Sequence, residues 1–206
     1  MVHIVYKTDE LIIVLHGLLA TARSMSVLAR RLRAEGFQTH LWEYASLKAD
    51  MATHASLLAQ CINESAPQVA KLHIVAHSMG CIVTRAALEQ VDTTQLSRVV
   101  FLAPPNHGSP VARWCEPLAG AKLAPVRELA DSRQSFVNGL CPYCLCETGI
   151  LAARFDWLVP ETSASLPQVR DFKVLNHTHN SLLFSRRVSR QVGHFLRCGC
   201  FPEGRN

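Results

Sequence analysis

The sequence predicts an α/β fold: a mostly parallel central sheet of about six strands with helices on both faces. Three observations carry this. Short branched apolar runs alternate with amphipathic stretches of helical period along the whole chain. The runs are continuous, as in strands buried on both faces. Strand–helix–strand order repeats, which makes the helices right-handed crossovers over a parallel sheet. At 206 residues, with no linker and no repeat, the chain reads as one domain spanning 1–206. An apolar share of 49% against 18% charged residues excludes a disordered chain.

The elements follow in order. Leu11–Leu15 is an apolar run ending just before Gly17 and predicts the first strand. Ser24–Glu35 carries Val27, Leu28 and Leu32 among basic residues and predicts a helix stopped by Gly36. Phe37–Tyr44 predicts a second strand. Leu47–Glu64 predicts a helix with Leu57, Leu58, Cys61 and Ile62 apolar and Pro67 beyond its end. Leu72–Ala76 predicts a third strand, running straight into a helix over Met79–Gln90. Arg98–Ala103 predicts a fourth strand, ended by Pro104-Pro105. Pro110 to about Gly149 reads as irregular, because four prolines and a cysteine cluster interrupt it. Gly149–Ala153 and Arg170–Leu175 predict further strands, and Ser181–Cys198 predicts one long closing helix.

The strongest chemical signal is Ala76-His77-Ser78-Met79-Gly80, an A-x-S-x-G sequence at a strand-to-helix corner. Such a corner strains the serine backbone and exposes its hydroxyl at the carboxyl edge of the sheet. Small residues are required two before and two after, and Ala76 and Gly80 supply them. The positive end of the following helix faces any negative charge that develops beside Ser78. Val14-Leu15-His16-Gly17-Leu18 is the second signal. Acyl transfer at a serine needs two backbone N–H donors for the oxyanion. Met79, after the serine, and Leu18, in the loop after the first strand, are the candidates.

A base and an acid complete this chemistry in the order serine, acid, histidine. His177 and His179 both lie between the last strand and the last helix. Asp156, after the preceding strand, is the candidate acid; it would fix the imidazole tautomer and stabilise the imidazolium. Glu161, Asp171 and Asp131 compete. Asp171 enters a strand too late to reach over its end, and Asp131 precedes the expected strand.

With these motifs in place, the chain resembles a compact α/β-hydrolase of the bacterial lipase/esterase type, from about Leu11 to Phe201. The stretches LHGLLATARSMSVLARRLRAEGF, HIVAHSMGCIVTRAAL, VVFLAPPNHGSP, DWLVPETSASLP and HNSLLFSRRVSRQVGHFLRCGCF carry the resemblance. It implies a minimal version of the fold without the extra N-terminal strands of larger relatives. Its register, a histidine three residues before Leu182-Leu183, selects His179 over His177. Asp156, followed by Val159 and then Glu161-Thr162, fits the acid. His77 is implied to be packing, and the Pro105–Ser109 turn around His107 to shape the site wall. The segment at about 110–148 falls where such proteins carry a cap or lid. There Trp114, Leu118, Leu123, Val126, Leu129 and Phe136 would line an acyl pocket or pack on the sheet.

The implied activity is cleavage of carboxylic esters, with a small-molecule ester or lipid as substrate and neither cofactor nor metal. Acyl transfer or thioester cleavage is the alternative on the same residues. A non-catalytic binding protein of the same fold is the alternative of another class. Net charge is +5, and Arg186, Arg187, Arg190, Arg197 and Arg205 are spread along one stretch as on a solvated helix. No nucleic-acid partner is therefore expected. No apolar run reaches membrane-span length, which leaves only transient contact with a lipid surface. Met1–Lys7 lacks the pattern of a leader, which predicts a cytoplasmic protein. Eight cysteines include Cys141, Cys144 and Cys146 in one cluster and Cys198 and Cys200 in another. Free thiols, disulfides and a zinc site all fit their spacing.

Overall fold

The computed structural model describes residues 9–119 and 123–203. Met1–Lys7, Arg205 and the side chain of Leu118 lie outside the described residues. The chain runs β1 (Glu10–Leu15), α1 (Ser26–Ala34), β2 (Gln38–Trp42), α2 (Met51–Ser65), β3 (Lys71–His77), α3 (Met79–Leu88) and β4 (Leu96–Leu102). There follow α4 (Pro110–Ala119), α5 (Ala124–Glu128), α6 (Phe136–Gly139), β5 (Thr148–Ala153), α7 (Glu161–Ala164), β6 (Asp171–Leu175) and α8 (Arg186–Cys198). The six strands form one sheet in the order β2-β1-β3-β4-β5-β6, and every neighbouring pair is parallel.

The continuous apolar runs follow from burial on both faces. Successive side chains in a strand point to opposite sides. Leu11, Ile13 and Leu15 of β1 join a core with α2 and α3, whereas Ile12 and Val14 join one with α1 and α8. The same division holds in β3, where Leu72, Ile74 and Ala76 face one layer and Val75 the other. Helices thus cover both faces, as the sequence predicts.

Two expectations need correction. The stretch read as irregular contains the short helices α4, α5 and α6. Pro110 opens α4 and Pro125 lies in the first turn of α5. A proline at a helix start loses no intrahelical bond and has φ already set, so these prolines begin helices. The closing helix is also divided. Ser181–Phe184 forms a 3-10 turn, and α8 begins at Arg186. Ser185 stands between them with extended backbone, its side chain accepting from the Val188 N–H, and this cap starts a new helix.

Candidate active site

Ser78 follows β3 and precedes α3, with φ 54° and ψ −125°. That is the left-handed side of backbone space, which a serine enters only when its surroundings impose it. The surroundings are visible. The Ser78 N–H donates to the Leu102 carbonyl at the end of β4 (3.0 Å), and the Ser78 carbonyl accepts from the Cys81 N–H (2.9 Å). Two glycines permit the close approach. A Cβ on Gly80 would lie 2.5 Å from the His16 carbonyl, and one on Gly17 would lie 2.9 Å from Ser78 Cβ. The end of β1 and the start of α3 are therefore in direct backbone contact beside the serine.

Asp156 and His179 come from the loops after β5 and β6. The His179 Nδ1–H donates to Asp156 Oδ2 at 2.6 Å, and both side chains are buried, at 7% and 1% exposure. The other carboxylate oxygen accepts the backbone N–H groups of Leu158 and Val159, each at 2.9 Å. Three donors thus fix the carboxylate, and Nε2 of His179 is the ring atom that remains for proton transfer. Ser78 and His179 line one cavity of about 760 Å³ together with Gly17 and Leu18. Met79 opens α3, so its N–H has no acceptor one turn earlier within the helix.

The other candidates are engaged elsewhere. His177 turns its Nδ1 to Ser181 Oγ at 3.2 Å, and burial lowers its pKa. Asp171 accepts the Phe201 N–H at 2.6 Å, and Asp131 pairs with Arg113 at 3.2 Å. Glu161 is exposed at the start of α7. His77 is buried, and loss of solvent holds its pKa down to about 3. Uncharged, it donates from Nε2 to the His179 carbonyl at 3.1 Å, so it braces the loop that presents His179.

The wall contains ties that motif reading does not expose. The Asn106 amide donates to the Ala164 carbonyl at 2.7 Å, and the Ser109 hydroxyl donates to the Leu158 carbonyl at 2.6 Å. The turn 105–109 therefore holds the loop that carries Asp156. His107 itself is exposed. Within the 110–140 stretch, Val126 and Leu129 line the cavity, Phe136 packs on the core and Trp114 is exposed. None of the eight cysteines is in a disulfide. Among the described residues, no three His, Cys, Asp or Glu side chains are placed to hold a metal ion. No helix of the described residues is long and apolar enough to cross a membrane.

The serine hydrolase family matches residues 11–138. The fold is similar to that of the mature Bacillus licheniformis lipase BlEst2 (TM-score 0.72, 19% identity, 97% of this chain and 95% of that one). It is also similar to Aspergillus fumigatus lipase B (TM-score 0.73, 17% identity, 92% of this chain and 52% of that one). A third likeness is to the metagenomic carboxyl esterase MGS0156 (TM-score 0.70, 17% identity, 86% of this chain and 67% of that one). At these identities the structural likeness establishes a shared α/β-hydrolase fold. No curated protein matches the sequence.

Proposed function

Because the chain belongs to the serine hydrolase family, we propose that it cleaves carboxylic esters with Ser78 as nucleophile, His179 as base and Asp156 as the acid that orients it. The observation that carries this reading is the buried Asp156–His179 pair, 2.6 Å apart, with His179 facing the same cavity as the strained Ser78. In the proposed reaction the Ser78 oxygen attacks the ester carbonyl and His179 Nε2 takes its proton. The N–H groups of Leu18 and Met79 receive the oxyanion. His179 then returns the proton to the departing alcohol. Water, activated by the same imidazole, hydrolyses the acyl-enzyme.

The cavity favours an apolar acyl group. Leu18, Val111, Val126, Leu129 and Leu183 line it. Leu19 and Phe184 of the lining are 77% and 55% exposed, and Trp114 and Trp157, each next in sequence to a lining residue, are 77% and 72% exposed. These exposed apolar side chains support a lipid ester met at a surface. The test is labelling with a fluorophosphonate probe followed by a panel of p-nitrophenyl esters of increasing chain length. Labelling at Ser78, hydrolysis by the wild type and its loss in Ser78→Ala are the expected results. A purified Ser78→Ala protein with wild-type turnover would overturn the assignment. Ester product that outweighs free acid when a competing alcohol is present at low concentration would make the enzyme an acyltransferase.

A further inference from the structure

The loop after β1 bends through Leu19 at φ 57°, a left-handed conformation that a leucine rarely holds. Packing does not impose it, since the Leu19 side chain is 77% exposed. A turn closed by the Ala20 N–H on the Gly17 carbonyl (3.4 Å) spans Leu18 and Leu19, and the segment that leaves β2 holds that turn in place. The Leu19 N–H donates to Ser46 Oγ at 3.1 Å. The Ala22 N–H donates to Glu43 Oε2 at 2.8 Å. The Tyr44 hydroxyl donates to the His16 carbonyl at 2.8 Å. These bonds fall on residues 16, 19 and 22 and bracket Leu18 on both sides. Ser46 is buried, which fixes its hydroxyl. The other Glu43 oxygen lies 3.3 Å from Nε2 of His16, whose Nδ1–H donates to the Gly17 carbonyl at 2.8 Å. The His16 ring stacks on Tyr44, with centroids 4.4 Å apart.

We infer that Ser46 and Glu43 are positioning residues: they clamp the loop after β1 so that the Leu18 N–H meets the oxyanion formed at Ser78. This rests on the reading of Leu18 and Ser78 given above and extends it to two residues that touch no substrate. Donors for an oxyanion act by being held in place before charge develops, and small displacements weaken them. Without the Ser46 oxygen, the Leu19 N–H loses its acceptor, and only the long Ala20 N–H to Gly17 carbonyl bond (3.4 Å) is left to keep the Leu19 φ positive. The peptide chain between Gly17 and Ala20 then relaxes, and the Leu18 N–H turns from the cavity. Bonding of the ground-state ester in the apolar cavity is untouched, so the loss appears in the chemical step.

The experiment compares wild type, Ser46→Ala and Ser46→Thr in two reactions. One is turnover of a p-nitrophenyl ester. The other is inactivation by a fluorophosphonate, in which the Ser78 oxygen bonds to phosphorus, fluoride leaves and His179 accepts the proton. Ser46→Ala is expected to lower kcat roughly tenfold with KM unchanged, a fraction of the loss from removing an oxyanion donor outright. Its inactivation rate falls in parallel, its Tm stays near that of the wild type, and Ser46→Thr recovers both rates. A change confined to KM would make the loop a mere cavity wall and sink the inference, as would unchanged kcat or a threonine that fails to rescue. Glu43→Gln, which keeps the acceptor for Ala22, is expected to retain more activity than Glu43→Ala, and equal losses would remove Glu43 from the clamp. A wild type inactivated at Ser78 but inert toward every ester would defeat the ester reading instead. The inactivation rates would still decide the clamp.

Discussion

Asp156 shows how one residue is committed to a task by its surroundings. One oxygen is held by two backbone N–H groups at 2.9 Å each, and the other receives His179 Nδ1–H at 2.6 Å. Asp156→Asn keeps the shape but allows the amide to donate, which favours the wrong imidazole tautomer. Under the proposed mechanism kcat falls roughly 10³–10⁴-fold while the fold persists; steady-state kinetics beside a melting curve checks both. His73 gives a different prediction. It is fully buried in β3, its ring edge-on to Phe37 at 6.1 Å, and burial lowers its pKa to about 4. Glu10 draws the pKa upward while Arg98 and Lys71 press it down, so burial decides the outcome. The unfolded chain binds the proton near pH 6.5 and the folded one does not. Stability therefore falls as pH drops from about 6.5 to about 4 and levels off below, by roughly 3 kcal/mol from this residue at the limit. Urea midpoints at pH 7 and pH 4.5 test it: His73→Leu should lose clearly less stability than the wild type, and equal losses would refute it. At this scale the sequence was only partly legible. Ser78 announces itself through its A-x-S-x-G frame, but His177 and His179 are separated only by the register of the resemblance, because where the loop turns each ring is not encoded in the two residues themselves. Glu43 and Ser46 belong to no motif, because what they contact lies 21 and 27 residues away in the chain.

Strands were the most legible elements and helix boundaries the least. β1 and β3 are continuous branched runs because both sheet faces are covered, and that pattern has few other readings. The prolines misled because Pro110 and Pro125 occupy helix starts, where the residue acts oppositely to its effect in a helix interior. The division before α8 left a readable trace: Ser185 precedes Arg186 and caps Val188, an ordinary start signal set inside an apolar pattern that continued across it. Packing between elements yields a prediction of its own. A Cβ on Gly149 of β5 would lie 2.6 Å from the Phe195 ring of α8 and 2.8 Å from Phe201. Phe195 is fully buried, so neither ring has room to swing away. Gly149→Ala is therefore expected to push α8 from the sheet and cost about 1–3 kcal/mol. Chemical denaturation measures it directly, and a variant as stable as the wild type would show that the interface yields freely.

The whole molecule explains why the proposed chemistry sits where it does. Strand order places β2 on one side of β1 and β3 on the other, so the chain reverses direction across the sheet at β1. Loops leaving such a switch point part from each other and open a crevice at the carboxyl ends of the strands. Gly17 and Ser78 stand at that point on adjacent strands, and β5 and β6 bring Asp156 and His179 to the same edge. Val111, Ala112, Cys115, Val126 and Leu129, between residues 110 and 140, wall the crevice into a cavity. Trp114 is next to Cys115 and Trp157 next to Leu158, both cavity residues, yet both indoles face solvent. If the substrate is a lipid ester at a surface, these two rings enter that surface while the cavity mouth faces it. Each indole buries enough apolar area to contribute about 1–3 kcal/mol to adsorption. Replacing both by serine should then weaken cosedimentation with phospholipid vesicles at least tenfold and lower hydrolysis of a long-chain ester carried in them by a similar factor. Hydrolysis of a soluble acetate ester, which needs no adsorption, should stay near the wild-type rate. Equal loss on both substrates would mean that the rings support the cavity from outside, and no loss on either would mean that the ester is taken from solution.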